Sequence, residues 1–163
     1  MRRRTLLSGM AAVAAVGMAA PLLAAANAPT VLFVCEFGTA KSAIARELFR
    51  KRARERGIAV TAFSRGSKAI EDHISPPLRQ SLDAEAIDTR RDGFAVLEPK
   101  DARRADIVVT FAPLPAAYRS AKLRDWSAVP SVNDAWPTAR ADLDRRIDAL
   151  LDSLAVAKGS KPR

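Results

Sequence analysis

The stretch from Thr30 to Ser42 constrains the fold of this chain more than any other. It opens with a short apolar, β-branched run, Val31–Val34, which is typical of a strand buried on both faces of a parallel sheet. The chain then turns at Gly38 and enters a helical pattern that starts near Ala43. A loop between a strand end and a helix start presents backbone N–H groups and the positive end of the helix dipole. We therefore expect an anion-binding site at this loop.

The single cysteine of the chain, Cys35, lies where this predicted strand ends. The N–H groups and the helix dipole stabilise a thiolate over a thiol, which makes Cys35 a candidate nucleophile, although a cysteine after a buried strand is often only a small core residue. The spacing to Gly38, Lys41 and Ser42 favours the functional interpretation. Gly38 can adopt a positive φ, Lys41 brings positive charge, and Ser42 can hydrogen-bond a thiolate or cap the helix. A loop that binds an oxyanion above a thiolate is the working part of a cysteine phosphatase.

With the strand before it and the helix after it, the segment Cys35–Ser42 resembles the phosphate loop of the low-molecular-weight protein tyrosine phosphatase family, which includes thiol-dependent arsenate reductases. In that family, five residues separate the cysteine from an Arg-Ser pair. Here Lys41 stands in place of the arginine, and Ala40 in place of a second cysteine found in many members. Lysine offers a point charge without the bidentate fork of arginine. The phosphate-binding residues implied by the resemblance are Glu36, Phe37, Gly38, Thr39, Ala40 and Lys41.

The resemblance also implies a general acid, which the family carries in an Asp-Pro pair near the last strand. The nearest acid here is Asp134, which is followed by Ala135 rather than proline, and Asp125 and Asp142 are alternatives. Each of these could equally be a surface or helix-capping carboxylate. The catalytic residues implied by the resemblance are Cys35, Lys41, Ser42 and Asp134.

Residues 1–28 have the pattern of an export signal, in which arginines precede a long apolar stretch and a run of small residues. Arg3–Leu7 resembles a twin-arginine signal, which predicts export to the periplasm. An ordinary secretory signal and an uncleaved anchor are the alternatives. Cleavage is predicted after Ala26 or Ala28, and we expect no stable membrane insertion once the signal is removed.

The charge of the chain indicates an anionic substrate rather than nucleic acid. The signal contains three arginines and no acidic residue, so its removal lowers the formal net charge from +9 to +6. The densest charged run, 46–56, shares its predicted helix with an apolar stripe, so it is interpreted as a solvated face. No cluster has metal-ligand spacing, and His73 is interpreted as a loop residue. We expect no metal or other cofactor.

The rest of the chain alternates predicted strands and helices. The predicted strands are 58–64, 106–111 and Val129–Val132, with a turn at Arg65–Ser67. The predicted helices run from Pro76 to Ile87 with Ser75 as N-cap, from Pro99 over a short piece, and from Thr138 to Ala155. This order predicts one α/β domain over residues 29–157, followed by a frayed tail over 158–163. Its fold would be a doubly wound, four-stranded parallel sheet with helices on both faces, similar to the low-molecular-weight phosphatases, with the ligand at the carboxyl end of the first strand.

Three functions are compatible with these residues. The first is a phosphomonoesterase that acts through a phosphocysteine on a phosphorylated substrate. The second is an arsenate reductase, which would need an external thiol because the chain has no second cysteine. The third is an oxyanion-binding protein with little or no turnover, which the lysine at position 41 and the missing Asp-Pro pair would explain.

Overall fold

The structure is a computed structural model that describes residues 28–118 and 122–159. Apart from Ala28, the predicted export signal lies outside the described residues, as do residues 160–163 of the predicted tail. No helix in the described ranges is both long and apolar enough to cross a membrane.

Four parallel strands form one sheet, and they are β1 Thr30–Cys35, β2 Thr61–Gly66, β3 Ile107–Thr110 and β4 Leu123–Asp125. Their order across the sheet is β2-β1-β3-β4, so β1 is central and pairs with both β2 and β3. The register places Cys35, the last residue of β1, beside Gly66, the last residue of β2. The predicted four-stranded parallel sheet is confirmed.

Helices cover both faces of this sheet, and they are α1 Lys41–Glu55, α2 Pro76–Ala84, α3 Pro99–Arg104 and α4 Trp136–Gly159. Alternate residues of β1 point to opposite faces, as the strand period of two requires. Val31 and Phe33 join the larger core with residues of α1, α2 and α4, whereas Leu32 and Val34 join a smaller core beside α3. The central strand is therefore buried on both sides, which explains its unbroken apolar sequence.

The prediction of a strand at Val129–Val132 was wrong. That segment is a loop, and the fourth strand is Leu123–Asp125 at the edge of the sheet. Its Arg124 and Asp125 are exposed, so the strand has no apolar run that would distinguish it from a loop.

The predicted turn at Arg65–Ser67 was also misplaced. Arg65 and Gly66 pair with the end of β1, so β2 is shifted toward the carboxyl end of its predicted range. Helix α2 ends at Ala84 rather than Ile87 because Ala86 adopts a left-handed φ of 55°. Ser75 is the N-cap of α2 as predicted, and its hydroxyl accepts the N–H of Leu78.

The charged run of α1 is not wholly a solvated face. Arg46 is 1% exposed and Glu47 is 7% exposed. The Arg46 guanidinium donates to a Glu47 carboxylate oxygen at 2.9 Å, to the Ser64 hydroxyl at 2.9 Å and to the carbonyl of Thr89 at 2.9 Å. Arg46 therefore joins α1 to β2 and to the segment that follows α2, because a buried guanidinium needs its hydrogen bonds satisfied.

A second buried ion pair fastens α3 to β2. The Asp101 carboxylate accepts hydrogen bonds from Arg65 Nε at 3.0 Å and Arg65 Nη2 at 3.2 Å, and it also accepts the N–H of Glu98 in a capping box. Burial acts to raise the pKa of Asp101. The hydrogen bonds from Arg65 and Glu98 and the charges of Arg65 and Arg104 outweigh it, and the pKa lies below its usual value.

We predict that Asp101→Asn lowers the free energy of unfolding at pH 7 by about 3 kcal/mol, because the substitution removes the buried carboxylate of the pair and leaves the partly buried Arg65 guanidinium without its counter-charge. A carboxylate whose pKa is lower in the folded state stabilises the fold at pH values above its unfolded pKa. That stability disappears as the pH falls through the folded pKa, so the wild type and the variant should converge in acid. Urea unfolding at several pH values measures this difference.

Asp148→Asn is the matched control, because it removes one carboxylate from the ion pairs that Asp148 forms with Arg52 and Arg56, all partly or largely exposed to solvent. Its effect should be much smaller. An equal effect of the two substitutions would show that the Asp101 pair has no special role.

Candidate active site

Cys35 lies at the junction of β1 and α1, where a backbone N–H and a hydroxyl contact its sulfur. The N–H of Gly38 donates to Cys35 Sγ at 3.2 Å, and the buried hydroxyl of Ser42 lies 3.0 Å from the same sulfur. Helix α1 begins at Lys41 and has no side-chain cap at Ala40, so its positive end faces the loop. A backbone N–H and the positive end of a helix are surroundings typical of nucleophilic cysteines.

The shape of this loop depends on two glycines. Gly38 has a φ of 76°, which favours glycine. A Cβ on Gly38 would also lie 2.8 Å from the nitrogen of Gly66, and a Cβ on Gly66 would lie 3.0 Å from the carbonyl carbon of Phe37. The loop thus rests directly on the backbone at the end of β2, and neither position has room for a side chain.

Lys41 is half-buried, and its ammonium donates to the carbonyl oxygen of Val129 at 2.6 Å. This contact joins the start of α1 to the loop that follows β4. Partial burial lowers the pKa of Lys41, and the opposing effect of negative charge on Cys35 is smaller. Lys41 therefore does not extend freely into solvent.

A cleft of about 210 Å³ opens above Cys35. Its wall is built from loops that follow all four strands, because parallel strands end at the same edge of the sheet. The residues that line it are Cys35, Glu36, Phe37, Thr39, Ala40, Lys41, His73, Phe111, Ala112, Ser131, Val132 and Asn133.

Most of the predicted phosphate-binding residues line this cleft, with Gly38 turned against β2 and Ser42 buried beside the sulfur. The structure does not bring Asp134 into the lining, since Asp134 is exposed and only its neighbour Asn133 takes part. The two alternative candidates for the general acid, Asp125 and Asp142, do not line the cleft either. Asp125 accepts the N–H of Ser127, and Asp142 pairs with Arg146 on α4. A catalytic role for Asp134 stays a prediction.

The residues that sequence reasoning missed come from the loops after β2, β3 and β4. Thr39 connects the loop after β2 to the phosphate loop, because its hydroxyl donates to the Glu71 carbonyl at 2.7 Å and accepts the N–H of His73 at 3.2 Å. Asn133 connects the loop after β2 to the loop after β4. Its side chain donates to the His73 carbonyl at 2.7 Å and accepts the N–H of Ser75 at 2.9 Å. The parallel order of the strands was the signal that could have found these loops.

Within the described ranges, no group of three or more His, Cys, Asp or Glu side chains could hold a metal ion.

Comparisons with known proteins agree with this geometry. The family model of the low molecular weight phosphotyrosine protein phosphatases matches residues 30–123, which include the loop after Cys35, strands β1 to β3 and the first residue of β4. No curated protein matches the chain by sequence.

Several solved structures are similar in fold. YfkJ from Bacillus subtilis is 18% identical, with a TM-score of 0.65 and coverage of 82% of this chain and 98% of that one. The low molecular weight protein tyrosine phosphatase from T. tengcongensis is 24% identical, with a TM-score of 0.59 and coverage of 77% and 99%. A thioredoxin-dependent arsenate reductase from Corynebacterium glutamicum is 24% identical, with a TM-score of 0.58 and coverage of 80% and 63%.

At these identities the solved structures establish the fold, and the family model, which spans more than half of the chain, establishes the family. The matched residues include β1, the loop after Cys35 and α1, which together form the floor of the candidate site. The chain belongs to the low molecular weight phosphotyrosine protein phosphatase family.

Proposed function

We propose that this protein is a cysteine-dependent phosphomonoesterase that works through a phosphocysteine intermediate. The observation that carries the proposal is the surroundings of Cys35 Sγ, which accepts the N–H of Gly38 at 3.2 Å and lies 3.0 Å from the Ser42 hydroxyl, at the floor of a cleft next to a helix N-terminus. A cysteine surrounded in this way is suited to nucleophilic attack.

In the proposed reaction, Cys35 Sγ attacks phosphorus in line with the leaving oxygen. The backbone N–H groups of residues 36–41 and the Lys41 ammonium hold the equatorial oxygens, and Ser42 stabilises the thiolate both as nucleophile and as leaving group. We take Lys41 as the counterpart of the family arginine. Its half-buried position beside the cleft supports that role, and its ammonium would have to divide its hydrogen bonds between Val129 and the oxyanion.

Two alternatives from the sequence share this loop and differ in outcome. Arsenate reduction would need an external thiol to resolve the Cys35 adduct, because Cys35 is the only cysteine. An oxyanion-binding protein would bind sulfate without turning over any phosphate ester. Export to the periplasm would place either activity outside the cytoplasm, and the signal that predicts it lies outside the described residues.

We predict that Cys35→Ser abolishes turnover of p-nitrophenyl phosphate, because serine at this position is a far weaker nucleophile than a thiolate. The variant should still bind sulfate, since the loop donors are unchanged, and acid quench of the wild type should trap phosphate on Cys35. Turnover that survives the substitution would contradict the mechanism. Sulfate binding without wild-type turnover would support the binding protein instead, and arsenite formation dependent on an added thiol would support the reductase.

We predict that Lys41→Ala weakens sulfate binding by roughly tenfold to a hundredfold, since a charge-assisted hydrogen bond is worth about 1.5–3 kcal/mol. Lys41→Arg restores a planar fork and should raise kcat for p-nitrophenyl phosphate more than it raises affinity. Calorimetry and steady-state kinetics measure the two effects. Lys51→Ala removes the same charge from an exposed position of α1 and is the matched control. Equal sulfate affinities for Lys41→Ala and Lys51→Ala would show that Lys41 has no specific role in anion binding.

The lowered pKa of Lys41 makes a separate prediction about pH. The ammonium binds an anion only while protonated, so sulfate affinity should be complete at neutral pH and fall as the pH rises through a pKa below the ordinary 10.5. The measurement is calorimetry from pH 7 to roughly 10 in the Cys35→Ser protein, which removes the thiolate charge. Adding Lys41→Arg should abolish the alkaline loss, because guanidinium stays charged. Superimposable pH curves for the two proteins would contradict this role.

A further inference from the structure

The cleft wall outside the phosphate loop contains one titratable side chain. Among the described residues that line the cleft, the loops after β2, β3 and β4 contribute His73, Phe111, Ala112, Ser131, Val132 and Asn133. Of these side chains only the imidazole of His73 is an acid–base group. The titratable groups of the loop itself have other partners, since Glu36 pairs with Lys68 and Lys41 donates to Val129.

His73 is held in place relative to the phosphate loop by three contacts. Its N–H donates to Thr39 Oγ1 at 3.2 Å, its carbonyl accepts from Asn133 Nδ2 at 2.7 Å, and its ring stacks on Phe37 with centroids 3.9 Å apart. Thr39 and Phe37 belong to the loop that carries Cys35. An imidazole fixed against the loop in this way is positioned for a group bound there, as proton transfer requires.

The ring of His73 also has a carboxylate partner. Its Nε2 lies 3.1 Å from Glu71 Oε2, and its Nδ1 has no partner among the described residues. A carboxylate on one ring nitrogen orients the imidazole and selects its tautomer. The other nitrogen is then available to give or take a proton.

We propose that His73, positioned by Glu71, is the proton donor to the leaving group, an inference that rests on the proposed phosphomonoesterase function. The Cys35 Sγ–P bond forms as the P–O bond to the leaving group breaks, and the leaving oxygen keeps the electron pair and takes the proton from Nδ1 of the imidazolium. In the second half of the reaction, neutral His73 accepts a proton from water as the water oxygen attacks phosphorus. The Sγ–P bond then breaks, thiolate and inorganic phosphate are released, and His73 is again an imidazolium.

The test compares two substrates that need a proton to different degrees. p-Nitrophenolate leaves readily without a proton, whereas the more basic phenolate of phenyl phosphate does not. We expect His73→Gln to lower kcat/KM for phenyl phosphate by roughly a hundredfold or more, and for p-nitrophenyl phosphate by less than about tenfold. Sulfate affinity should not change. We call the ratio of kcat/KM for phenyl phosphate to kcat/KM for p-nitrophenyl phosphate the substrate ratio. Glu71→Gln should lower this ratio as well, by a smaller factor. It provides a second measurement if His73→Gln lowers sulfate affinity.

Two further variants make the result specific. Asp72→Asn alters the same loop, where Asp72 pairs with Arg79, and should leave the substrate ratio unchanged. Asp134→Asn tests the acid implied by the family resemblance. A wild-type substrate ratio in His73→Gln, or the selective loss of phenyl phosphate in Asp134→Asn or Asp72→Asn instead, would overturn the proposal for His73 while leaving the phosphomonoesterase intact. Absence of any Cys35-dependent turnover in the wild type would overturn both.

Discussion

The close contact between Gly38 and Gly66 is the constraint on which the site depends. The loop after Cys35 must bend within five residues from the central strand into α1, and the bend lies directly on the end of β2. Any side chain at either glycine would push the loop away from that strand. The bend in turn aims the N–H of Gly38 at the sulfur and brings the uncapped start of α1 to the cleft. In the proposed function, anion binding and the reactivity of Cys35 would both depend on this one backbone packing arrangement.

The neighbouring loops are fastened to this bend by polar contacts rather than by apolar packing. Thr39 and Asn133 together hold the backbone around His73, and Lys41 holds the loop at Val129. Such contacts set the geometry of donors before a substrate arrives, which is the condition under which fixed dipoles stabilise a transition state most effectively. The lysine at position 41 fits this arrangement, because a slim ammonium can reach Val129 and remain in the cleft wall.

Beneath the site, a buried network around Arg46 and a partly buried one around Arg65 hold the sheet and its helices together. Arg46 connects α1 to β2, and Arg65 connects the end of β2 to α3 through Asp101. Both involve β2, the strand against which the phosphate loop rests. The site is thus supported by charged interactions in the interior as well as by the two apolar cores, and such buried charges depend on complete hydrogen bonding.

Local sequence patterns were enough to predict the central strand, the loop at Cys35, the helix after it and the parallel α/β class, because each depends on an apolar run, a glycine or helical periodicity. The side chains that surround Cys35 could not be predicted in this way, because they come together only when the sheet forms. His73 and Asn133 are far from Cys35 in the chain and follow no local pattern, and they reach the cleft because strands β1, β2 and β4 end at one edge of the sheet. The edge strand Leu123–Asp125 was missed for a related reason. It is stabilised by its ladder with β3 and not by burial of its own side chains, so its sequence resembles a loop.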